Sequence, residues 1–84
     1  MKYDEIWGVA EPRIDEYLCA QPEIEKLSSG CYRAIGLEIT VDPLPEKDFG
    51  SLKFPRTRTV FKGEDSAVEE LHRKFFMNFL SGGA

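Results

Sequence analysis

The sequence predicts a small α+β domain, and three observations carry that expectation. Apolar residues along the 84-residue chain change their spacing from helical to alternating and back to helical. Prolines and glycines cluster between those stretches. The final stretch brings both helix-start and helix-stop residues. The expected architecture is one domain over residues 1–84: N-terminal helical segments, an antiparallel two- or three-stranded sheet, and a long C-terminal helix packed on one face. A third strand would come from residues 3–9 or from a second subunit.

Tyr3, Ile6, Trp7, Ala10, Ile14, Tyr17 and Leu18 recur at helical spacing. Gly8 and Pro12 interrupt the series. Proline is comfortable only in a first turn, so the helix is expected from Glu11 or Pro12 to about Ala20. Residues 3–9 are then a preceding helical turn or a short strand. Pro22 opens a second short helix in PEIEKL, with Glu23 and Glu25 at the positive end of its dipole and SSG as its stop.

From Cys31 to Val41 the period becomes two. Ile35, Leu37, Ile39 and Val41 alternate with smaller or polar residues, which predicts one strand with one buried face and Arg33 at the sheet margin. Two prolines and a glycine in DPLPEKDFGS then predict a long connection over residues 42–52, either functional or ordered in part by its own Leu44, Phe49 and Leu52. FPRTRTVFKG is the next strand by its Thr, Val and Phe content, and Pro55 places it toward a sheet edge because proline donates no ladder hydrogen bond.

Ser66 and Glu69 fit a capping box, Gly82 stands where a C′ glycine is expected, and the helix is predicted from about Ala67 to Leu80. On a helical wheel Leu71, Phe75 and Phe79 lie within about 60° of Val68, whereas Phe76, Leu80 and Met77 turn progressively away from it. That apolar arc is wider than one sheet face needs. Either the N-terminal helices or a partner covers the excess.

Composition narrows the function classes. With 42% hydrophobic and 31% charged residues the chain has an ordinary globular composition. No apolar run approaches a membrane span, and Asp4 and Glu5 stand where a signal peptide would turn apolar, so a cytoplasmic protein is expected. Cys19 and Cys31 are expected to stay reduced in that compartment. One histidine, His72, and no CxxC or HxxxH spacing predict no metal site and no cofactor. Catalysis is not expected either, since neither cysteine nor His72 sits in a motif that would activate it.

The net charge of −4 is unevenly spread: residues 1–50 hold five basic and eleven acidic side chains, and residues 51–84 six basic and four acidic. The strongest local feature lies in the second half. Lys53, Arg56, Arg58 and Lys62 are interleaved with Phe54 and Phe61, the ingredients of phosphate attraction plus base stacking. By strand alternation Arg56 and Arg58 share a face with Phe54 and Val60, opposite Thr57, Thr59 and Phe61. A handful of phosphate contacts gives weak, salt-dependent affinity, and the rest of the chain is acidic, which opposes a polyanion.

The reading is therefore a non-enzymatic protein-interaction module: a regulator, inhibitor or accessory protein of bacterial or phage type. Arg56, Arg58, Phe76, Met77 and Leu80 would contact a protein partner or a second copy. The alternative is a nucleic-acid binder using Lys53, Arg56, Arg58 and Lys62.

Overall fold

The computed structural model describes residues 1–81, with the backbone alone at positions 47, 49, 80 and 81. Gly82, expected as a helix stop, lies outside the described residues. The elements in chain order are β1 (Lys2–Trp7), α1 (Glu11–Cys19), β2 (Glu25–Ser28), β3 (Cys31–Ala34), β4 (Leu37–Phe49), β5 (Leu52–Gly63) and α2 (Asp65–Ser81). The strands form one sheet in the order β1-β5-β4-β3-β2, with every neighbouring pair antiparallel.

The α+β class stands, but the sheet has five strands rather than two or three, and the described residues contain two helices. Each difference has a local cause. Residues 2–7 form a strand because Tyr3, Glu5 and Trp7 turn inward while Lys2, Asp4 and Ile6 face out, a period of two hidden beneath helical spacing. PEIEKL is too short to hold a helix by itself. Its end instead becomes β2, where Glu25 and Lys26 pair with Arg33 and Tyr32.

The single strand expected over Cys31–Val41 is a hairpin. Ala34 pairs with Leu37 across Ile35 and Gly36, and Gly36 adopts a φ of +83°. Both members of a cross-strand pair face the same way, so the turn reverses the parity of the alternation. Tyr32 is therefore buried and Arg33 exposed, while Ile35, expected on the buried face, is 97% exposed at the turn.

Residues 42–52 are not a loop. β4 and β5 continue pairing to Phe49 and Leu52, with a register shift between Leu44 and Lys47 and with Gly50 at φ +65° opening a two-residue turn. The prolines are tolerated because β3 pairs with β4 only as far as Thr40 and β1 reaches β5 only at Thr57. Pro43 and Pro55 thus lie in a two-stranded arm with unpaired outer edges. The rest of β5 is internal to the sheet, not an edge: Thr57 to Lys62 pair with β1 on one side and β4 on the other.

Both helices cover one face of the sheet. Ile14 and Leu18 from α1 and Val68, Leu71 and Phe75 from α2 meet Tyr32, Leu37, Ile39, Val41 and Phe61 in a single core. Burial of each large side chain contributes about 1.5–3 kcal/mol. α1 runs over Glu11–Cys19, close to the expected span, with Pro12 in its first turn. α2 begins at Asp65, before the predicted capping box: the Glu64 amide bonds Gly36 O at 2.7 Å, and Val68 N bonds Glu64 O at 2.9 Å, so Ser66 lies within the first turn.

Candidate protein-docking site

The exposed face of the sheet decides the fate of the basic strand. Register aligns Lys2, Lys62, Glu38, Arg33 and Glu25 across all five strands, and aligns Ile6, Arg58 and Asp42 across three. Arg58 grips Asp4 with two hydrogen bonds, from Nε at 2.8 Å and from Nη2 at 2.6 Å. That guanidinium holds the Asp4 carboxyl below its ordinary value, and the pairing raises Arg58 in turn. Arg58 is thus a cross-strand clamp between β1 and β5.

The other cations do not converge. Lys62 pairs across from Glu38, Arg56 is half-buried across from Leu44, and Lys53 lies across from Asp48 near the tip of the arm. Strand rise separates Lys53 from Lys62 by roughly 30 Å. A groove that tracks a phosphate backbone would need these charges unpaired and adjacent.

The α2 side chains named from the sequence fall differently. Phe76 and Met77 are 40% and 55% exposed, and the Leu80 side chain lies outside the described ones. Phe76 meets Trp7 edge-on at 5.7 Å between ring centroids, which places it beside the end of β1. His72, one turn earlier, stacks on Tyr3 at 3.8 Å and 11°, meets Phe61 edge-on, and has Nε2 2.5 Å from Glu5 Oε1. α2 therefore runs along β1 and leaves the outer edge of that strand open. Phe79, two turns further along α2, is taken up by Tyr17 of α1, with centroids 5.4 Å apart.

Sequence reasoning left residues 3–9 between a helical turn and a short strand, and the structure takes the strand. The alternation of Lys2, Asp4 and Ile6 with Tyr3, Glu5 and Trp7 signals it, but Tyr3, Trp7 and Ala10 also sit at helical spacing, and the charges of β1 were not read as part of a site.

A second polar cluster ties α1 to the sheet. Asp15 accepts hydrogen bonds from the Tyr32 hydroxyl and from Lys26 Nζ, the latter at 2.8 Å. Those donors, Lys26 first, hold the Asp15 carboxyl below its usual range, while desolvation and the nearby carboxylate push the Tyr32 phenol up. Cys19, 3.7 Å from Asp15, has its thiol raised by desolvation and by that carboxylate, which opposes thiolate formation. Cys19 and Cys31 are both free.

The cleft of about 340 Å³ between α2 and the β3–β4 turn is lined by Glu23, Ala34, Ile35, Leu37, Leu71 and Lys74 among others, and includes neither His72 nor Asp15. Among the described residues no group of three or more His, Cys, Asp or Glu side chains could hold a metal ion, and no helix is long and apolar enough to cross a membrane. No protein-family model matches the chain, and no curated protein matches it in sequence.

Proposed function

We propose that this chain is a non-enzymatic protein-interaction module whose docking site is the open edge of β1 together with the adjoining flank of α2. One observation carries the reading: a regular six-residue edge strand, free of proline and bulge, lies beside the exposed ring of Phe76. An open edge offers main-chain hydrogen bonds to an added strand, and neighbouring apolar side chains supply specificity. Arg56 and Arg58 are not part of this site, since Arg58 is engaged by Asp4 and Arg56 belongs to the arm.

The nucleic-acid reading loses support from the same geometry, because the four cations are dispersed along β5 and Arg58 is held by Asp4. A cytoplasmic setting accords with the two free thiols.

The reading is tested by immobilising the wild-type chain and the Phe76→Asp variant and passing an extract of the source cells over each. A protein retained by the first and lost by the second supports the docking site. Equal retention by both places the contact elsewhere. Titration of labelled single- and double-stranded RNA and DNA at low salt is expected to show no binding, and a salt-dependent complex there would restore the alternative.

A further inference from the structure

We propose that the occupant of this edge is a second copy of the chain, paired β1 to β1 about a two-fold axis at Tyr3, so that two five-stranded sheets become one. The inference rests on the docking site proposed above and names its partner.

The two edges of the sheet differ in a way that selects β1. β2, at the far edge, has four exposed residues and a register shift between Lys26 and Ser28, features that blunt an edge against further pairing. β1 keeps an unbroken register with β5 from Lys2 to Trp7. Its one inward charge, Glu5, is already met by His72.

The direction of the free backbone groups follows from the pairing. Gly63 N bonds Met1 O at 3.1 Å, so the pair of Met1 and Gly63 is a bonded one. Bonded and non-bonded pairs alternate along an antiparallel ladder. Tyr3, Glu5 and Trp7 therefore spend their amides and carbonyls on β5, whereas those of Lys2, Asp4 and Ile6 point out of the sheet. A second β1 running antiparallel and centred on Tyr3 bonds through Lys2 and Asp4, the outward groups of each meeting those of the other.

Charge then chooses among the two-fold registers. With Tyr3 on the axis, Lys2 of each copy stands opposite Asp4 of the other, and the Arg58–Asp4 pair extends into a three-charge chain across the seam. Moving the axis to Asp4 sets two aspartates face to face, and moving it to Glu5 sets two glutamates face to face. Like charges directly opposite destabilise a strand pair, so the Tyr3 register is preferred.

The helices fit the same register. α2 contacts Tyr3 of β1 and Phe61 of β5 through His72, so its axis lies between those strands. Strands pair about 4.8 Å apart, which sets the two α2 axes roughly two strand spacings apart. Helices pack at 8–10 Å, so the two copies meet without a gap. Glu69 and Arg73 are exposed on the flank that His72 and Phe76 turn toward β1. Across an antiparallel pair of helices centred near His72, Glu69 of one copy falls within about 3 Å, along the axis, of Arg73 of the other. Both ion pairs occur twice.

Sedimentation of the full chain tests this at low salt up to about 200 µM, a concentration that saturates a dimer with Kd of order 10 µM. The wild type is expected to sediment as a dimer. Lys2→Glu and Arg73→Glu, each on an exposed position, are each expected to raise Kd about tenfold or more by setting like charges across the seam. The double variant Glu69→Arg with Arg73→Glu is expected to restore the wild-type Kd, because the swapped charges again face one another. A wild type that stays monomeric at the top concentration overturns the proposal, as does a dimer indifferent to Lys2→Glu. Failure of the charge swap to rescue overturns the register. A monomer from which Phe76→Asp still removes a captured protein overturns the second copy alone. A monomer with no such protein overturns the docking site as well.

Discussion

Thr57 and Thr59 sit two residues apart on β5, point into the same core and are 1% and 0% exposed, yet opposite consequences are expected from the same substitution. Thr57 Oγ1 donates to Val9 O at 2.6 Å and so ties β5 to the segment that leads into α1. Thr59 Oγ1 has no hydrogen-bond partner among the described residues. Valine has nearly the shape of threonine and favours strands, so Thr→Val tests the hydroxyl with little change in packing. Thr57→Val removes a made bond and leaves the half-buried Val9 carbonyl without this donor, which costs about 1–2 kcal/mol. Thr59→Val removes a buried group that is desolvated without compensation, which gains about 1 kcal/mol. For a domain of this length each kcal/mol moves Tm by about 5 °C, so the two variants should melt on opposite sides of the wild type with a gap of order 10 °C. Thermal unfolding followed by circular dichroism at one fixed protein concentration reads this directly. A Thr59→Val protein that melts at or below the wild-type Tm refutes the reasoning, because its hydroxyl must then hold a bond in the folded protein.

Phe75 is fully buried at the centre of the aromatic cluster, edge-on to Trp7 and in contact with Phe61 and Phe79, so Phe75→Ala should cost about 3–5 kcal/mol in denaturant unfolding. Gly30 has φ +78°, and a Cβ there would stand 2.6 Å from Val41 O, so Gly30→Ala should lower Tm more than a turn substitution ordinarily does, while an unchanged Tm would mean the hairpin shifts freely. The Asp15 carboxyl is held below its ordinary value in the folded chain, so its contribution is present above the unfolded pKa and is lost as pH falls through the folded one. Tm measured from about pH 5 down to pH 2 should fall less steeply in Asp15→Asn than in the wild type. Arg58→Gln should lower Tm, because Asp4 then loses its charged hydrogen-bond partner and Asp42 the cation beside it; a variant that keeps the wild-type Tm would show that the clamp is not structural.

The parts of the fold that were legible are those where one periodicity stands alone. Val68, Leu71 and Phe75 are buried and Phe76 and Met77 exposed, in the order that the wheel of α2 gives, and Pro12 places the start of α1. The parts misread or left open are those where two signals share the same residues. β1 carries helical and alternating spacing at once, and only its pairing with β5 decides between them. Ile35 continues an alternation that the Gly36 turn has already reset. The prolines at 43, 45 and 55 argue against ladder positions in general, but in an arm with open outer edges their missing amides cost nothing. None of these resolves without knowing the neighbouring strand, which is long-range information.

The same dependence on neighbours explains the charge polarity of the sequence. An acidic first half and a basic second half suggest steering of a partner or head-to-tail copies, yet the topology brings the two halves together inside one sheet. β5, from the basic half, lies between β1 and β4, from the acidic half, and α2 lies along β1. Asp4 with Arg58, Glu5 with His72, Asp42 with Arg58 and Glu38 with Lys62 each join one half to the other. The polarity is thereby spent on register, since a shift of β5 by one residue would turn Arg58 into the core and Phe61 out of it. Charges left without a cross-strand answer should then mark surfaces built for contact. Lys2, opposite Lys62 in its own sheet, is one of them, and it stands on the open edge of β1.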